Sequence, residues 1–138
     1  MIAPCLIVFG SSILAFLGSI HLYYTFFSDK FSSRNPETDA LMKNSSPILT
    51  KRTTIWKAWV GFNASHSLGA IFIGLANIIL SIESFELYQK SVSLWILNLA
   101  SIGFYLFLAK KYWFRIPFFG VLATAACFFM ACLLIIMQ

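Results

Sequence analysis

AWVGFNASHSLGAIFIGLANIILSI, residues 58–82, runs for 25 positions without a formal charge. Crossing about 30 Å of hydrocarbon takes a helix of about 20 residues, because every backbone N–H and C=O must be satisfied within the segment. The apolar residues are continuous rather than alternating, and the mixture of Leu, Ile, Phe and Ala at this length argues against barrel strands. The stretch therefore reads as a transmembrane helix.

Working outward, residues 2–27, 92–109 and 117–137 also lack Asp, Glu, Lys and Arg. Four such runs in 138 residues leave no length for a soluble catalytic domain. The fold class this implies is all-α: a polytopic membrane protein, an antiparallel four-transmembrane-helix bundle forming a single domain over 1–138. Composition agrees, with 59% hydrophobic residues, 17% aromatic and only 11% charged, where a soluble domain carries about 25% charge. Mean hydropathy is +0.82. The 2–27 run has no basic stretch before it and no small-residue cleavage site after it, so a cleaved signal peptide is not expected.

The formal charge is +5, but its placement matters more than its sum. Lys30, Arg34, Lys43, Lys51, Arg52 and Lys57 fall in the loop 28–57, and Lys110, Lys111 and Arg115 in the loop 110–116; the opposite side has only Lys90. By the positive-inside rule both basic loops are cytoplasmic and both termini lie outside the inner (plasma) membrane, in the periplasm if the cell is bacterial. The cations then set topology and meet anionic lipid headgroups of the bilayer, and no feature calls for a nucleic acid partner. Within loop 28–57, Asn35, Pro36, Glu37, Asp39 and Lys43 have the order of an N-cap, an N1 proline, first-turn acids and a last-turn cation, which predicts a short surface helix presenting Leu41 and Met42 to lipid or to the bundle. Trp56, Trp59, Tyr112 and Trp113 mark an interfacial belt, and the short link between the last two spans predicts an antiparallel hairpin. Cys5, Cys127 and Cys132 lie in apolar runs without metal-ligand spacing. They read as packing residues, with a Cys5–Cys132 disulfide left open.

Polar side chains in hydrocarbon are costly unless paired, so those retained there are the strongest functional pointers. Trp59, Asn63, His66, Ala70, Ile73 and Asn77 recur at spacings of 4 and 3, one stripe of the second span, expected to face inward. Gly61, Ser65 and Gly69 form a second face with the small-xxx-small spacing that permits close helix approach. At about 1.5 Å per residue, His21 stands roughly 9 Å from the inner end of its span and His66 roughly 12 Å from the inner end of its own. Ser101 and Tyr105 of the third span count to the same layer. Asn77 and Asn98 count to an outer pair.

These counts predict an inner-leaflet polar cavity lined by His21, Tyr24, Asn63, His66, Ser101 and Tyr105. In one reading the imidazoles only fix helix packing. In a second, a non-enzymatic protein binds a small apolar or lipid-like ligand or a partner helix there. A structural or assembly subunit of a larger membrane complex, or a homo-oligomer, is a further reading. The different-class alternative is a redox or lipid-modifying enzyme using His21 and His66 as acid and base, or as axial ligands of haem b, which needs two imidazoles at one level on facing helices. With no Asp or Glu in any span, a di-iron carboxylate site is excluded, no carboxylate proton relay is expected, and a Ser-His-Asp triad is unsupported.

The run Trp56, Lys57, Ala58, Trp59, Val60, Gly61, Phe62, Asn63, Ala64, Ser65, His66, Ser67, Leu68 and Gly69, with residues 18–23 and the 50–54 approach, resembles a family of small bacterial integral membrane proteins with no assigned activity. The resemblance covers about half the chain and implies a four-helix inner-membrane protein. Small four-helix membrane proteins of the DoxX kind resemble it in shape alone.

Overall fold

A computed structural model describes residues 2–137. Six helices follow in order: α1 (Ile2–Phe27), α2 (Pro36–Asn44), α3 (Ile55–Glu83), α4 (Glu86–Lys90), α5 (Val92–Tyr112) and α6 (Arg115–Ile136), with no strand among the described residues. The fold is all-α, as expected. Four helices, α1, α3, α5 and α6, are long and apolar enough to cross a membrane, the pattern of a multi-pass membrane protein.

The α1 bounds coincide with the uncharged run, whereas α3, α5 and α6 begin or end two or three residues outside theirs. The excess turns carry Lys57, Lys110, Lys111 and Arg115, all exposed; long side chains of this kind can cover apolar surface with their stems and keep the charge in water, so a helix need not stop where its charge-free run does. Pro4 and Pro117 fall in the first turns of α1 and α6, where no intrahelical N–H is required. The one-turn helix α4 has no hydrophobic periodicity long enough to announce it.

The chain divides into two compact units. One comprises residues 2–17 and 70–137, in which α1 runs antiparallel to both α3 and α6. Ser81 Oγ donates to the Pro4 carbonyl at 3.3 Å, and a Cβ added to Gly74 would stand 2.7 Å from the Ser11 carbonyl oxygen and 2.8 Å from Ala15 Cβ. On the α6 side, Thr124 Oγ1 donates to the Gly10 carbonyl at 2.9 Å, while Gly120 lies against Leu17 and Ile13. Trp113 and Phe114 alone connect α5 to α6. Buried positions recur at 3 and 4: Trp95, Asn98 and Ile102 on α5, and Val121, Thr124, Phe128 and Ala131 on α6.

The α4 turn closes one end of this unit's core. Tyr88 is 1% exposed, its hydroxyl donates to Asn77 Oδ1, and its carbonyl accepts from Trp95 Nε1 at 2.7 Å. The Tyr88, Trp95 and Phe128 rings follow one another edge to face at 5.4 and 6.4 Å. Two expectations are corrected here. Asn77 pairs with Tyr88, brought over it by the unforeseen α4, while Asn98 Nδ2 donates to its own helix at Leu94. The Gly61, Ser65, Gly69 face is not the closely packed one: a Cβ on Gly61 would meet nothing within 4 Å and Ser65 is exposed. Close approach runs instead through Gly74, which shares the buried side of α3 with Ala70, Asn77 and Ser81. All three cysteines are free thiols, so no Cys5–Cys132 disulfide is formed.

The second unit is Gly18–Gly69: the last turns of α1, the connecting loop with α2, and the first half of α3. Helix α2 forms as its sequence predicts. Asn35 accepts from the Glu37 N–H at 2.9 Å, Pro36 opens the helix, Glu37 and Asp39 occupy its first turn and Lys43 its last. Leu41 remains exposed. Beyond α2, the Ser45 carbonyl accepts from the Ile55 N–H at 2.9 Å, closing residues 45–55 into a loop seated on the first turn of α3.

Candidate functional site

Within the second unit, α1 contributes His21, and α3 contributes His66 from the stripe that its 3-and-4 spacing defines. Asn63 Nδ2 donates to the Trp59 carbonyl one turn back at 2.8 Å, which orients the amide so that Oδ1 is its acceptor. His21 Nε2 lies 3.0 Å from that oxygen and therefore carries the hydrogen it donates; in the neutral ring, Nδ1 is then an acceptor. The His66 ring meets His21 edge to face at 5.7 Å between centroids. Both imidazoles are half-buried.

The loop completes this arrangement. The Phe31 ring covers His21 at 4.5 Å, and the Phe31 carbonyl accepts from Trp59 Nε1 at 3.2 Å. Sequence reasoning overlooked Phe31; its signal is an isolated aromatic residue in the polar stretch 28–35, where nothing but a tertiary contact would retain it. Around the pair, Thr25 Oγ1 donates to the His21 carbonyl at 2.8 Å and Ser67 Oγ to the Asn63 carbonyl at 2.8 Å. These local bonds satisfy hydroxyls that hydrocarbon would otherwise strand.

Of the six residues expected to line one cavity, His21, Asn63 and His66 come together. Tyr24 is exposed on the last turns of α1, its ring 6.0 Å from that of Tyr23. Ser101 and Tyr105 belong to the other unit. There Tyr105 packs against the Leu14, Ala70 and Val121 cluster, with Trp113 edge to face at 6.2 Å.

Chemically, the trio can donate and accept hydrogen bonds. No Asp or Glu occurs in residues 2–27 or 58–82, the stretches that carry the trio. No group of three or more His, Cys, Asp and Glu with metal-binding geometry occurs among the described residues. For haem ligation, His21 Nε2 is engaged by Asn63 and its ring by Phe31, so an iron would have to displace Asn63 or take Nδ1.

No family model matches the chain, and no curated protein or solved structure does so either.

Proposed function

We propose that this chain is a non-enzymatic protein of the bacterial inner membrane, with both termini outside and the loops 28–57 and 110–116 in the cytoplasm. In this reading it binds a small apolar or lipid-like molecule in the inner leaflet through His21, Asn63 and His66. The observation that carries the reading is the His21–Asn63 hydrogen bond with a second imidazole beside it, on two helices apolar enough to cross a membrane. With its Nε2 hydrogen directed at Asn63, the His21 tautomer protonated at Nε2 alone offers Nδ1 as an acceptor. That suits an apolar molecule bearing one hydroxyl or N–H group, bound by a single directional bond. The nine-to-one distribution of Lys and Arg supports the orientation.

Native mass spectrometry of the chain released directly from its membrane tests the binding claim. A bound small molecule retained by the parent and lost from both Asn63→Leu and His21→Ala is expected. A Soret band abolished in both His21→Ala and His66→Ala would replace the lipid-like ligand with haem. Identical spectra for the parent and all three variants, with no adduct and no Soret band, would reduce the trio to a packing element.

A further inference from the structure

Ile48 and Leu49 are 108% and 93% exposed, the two most exposed large apolar side chains among the described residues. They occupy the tip of a turn in which the Thr50 N–H donates to the Pro47 carbonyl at 3.2 Å. Exposed aliphatic residues on α1, α3, α5 and α6 have lipid to face; this pair stands outside every described helix and is almost wholly uncovered by the described residues. Its position is nevertheless fixed at both ends. The Ser45 N–H donates to the Leu41 carbonyl at 2.9 Å, ending α2, and the Ser45 carbonyl accepts from Ile55, beginning α3.

That base is built from interfacial residues. Trp56 and Trp59 lie on the first turns of α3, and the Lys43 ammonium stands over the Trp56 ring at 5.1 Å. The tip thus lies close in sequence to the start of α3, a helix apolar enough to cross a membrane. Its flank is basic: Lys51 and Arg52 are exposed, and no acid occurs between Asp39 and Glu83. Two adjacent aliphatic side chains in water forgo their transfer free energy, and neighbouring cations are drawn to an anionic surface.

We propose that the 46–52 turn is a membrane-inserting tip. Ile48 and Leu49 enter the boundary between headgroups and acyl chains of the bilayer that the chain itself spans, while Lys51 and Arg52 hold anionic headgroups at the rim. The claim is independent of the histidine site, since no residue is shared.

The test uses the full chain in nanodiscs of phosphatidylcholine, with and without phosphatidylglycerol. An environment-sensitive NBD dye is attached to Leu49→Cys after replacement of Cys5, Cys127 and Cys132 by alanine. Expected in the anionic discs are blue-shifted emission, quenching by nitroxide lipids labelled near the carbonyl level, and loss of quenching by aqueous iodide. Lys51→Glu with Arg52→Glu should abolish the preference for the anionic discs, weakening insertion there by about tenfold or more. Hydrogen exchange on the unmodified chain should show amides 46–52 slowed by phosphatidylglycerol. Water-like emission open to iodide in both compositions overturns the proposal, as does unchanged exchange at 46–52. Crosslinking of the unlabelled Leu49→Cys thiol between two copies, without lipid quenching of the labelled form, would also overturn it, assigning the tip to a second copy. A retained anionic preference in the Lys51, Arg52 variant would overturn the headgroup contact.

Discussion

His21 donates its Nε2 hydrogen to an acceptor on another helix, and that acceptor is held in place by its own backbone. In a membrane the unfolded helices also find partners for such groups, so the bond is modest. A double-mutant cycle of His21→Ala and Asn63→Ala, read by unfolding equilibrium in bicelles, is expected to give a coupling of about 0.6 kcal/mol, below a ceiling of about 1.7. Tyr88 offers a pH-dependent counterpart. Burial pushes its phenol from 10.0 up to about 12, so the folded state favours the neutral ring that donates to Asn77. The unfolded chain deprotonates first as pH rises. The Tyr88 contribution is therefore complete below pH 10 and is lost between about pH 10 and 12. Comparing parent with Tyr88→Phe over that range isolates it: the variant lacks this decline. At this scale the sequence was half legible. Counting rise per residue placed His21 and His66 at one depth, because both belong to long helices of known pitch. The partner of Asn77 comes from a five-residue helix, and a depth count cannot see a side chain that folds back from a loop.

Among elements, the contrast between two glycines of α3 is decisive. Gly74 faces the α1 backbone so closely that a methyl group would press on a carbonyl oxygen, which cannot move as a side-chain tip can. Gly74→Ala should destabilise by about 1–3 kcal/mol, whereas Gly61→Ala, entering open space, should change stability by no more than about 0.5 kcal/mol. Thermal unfolding in detergent distinguishes the two. The spacing of small residues alone favoured the Gly61 face, since a motif of that kind records where approach is permitted and not where a neighbour stands. The cap, proline and charge order of α2 were readable because they are local chemistry, fixed by residues 35–43 without help from the rest of the fold.

For the molecule as a whole, the four apolar helices follow from composition and run length, which the solvent imposes and which need no tertiary information. Side-chain anchoring is unevenly spread. In residues 2–17 and 70–137 the helices are joined by buried polar bonds and ring contacts, whereas residues 28–35 and 46–54 are mostly exposed and bonded chiefly to near neighbours. Hydrogen exchange in nanodiscs of phosphatidylcholine alone should accordingly find amides of 29–34 and 50–53 opening readily, and those of 95–106 and 121–131 protected by several orders of magnitude.

The two-residue link at Trp113 and Phe114 bears on how the chain is made. So short a tether gives α6 nowhere to go except back along α5, and the expected outcome during biogenesis is that α5 and α6 insert as one unit. The stretch between α1 and α3 imposes no such bond. A foreign epitope spliced after Arg34 would be carried as a passenger, while the same splice after Trp113 would pry a hairpin open.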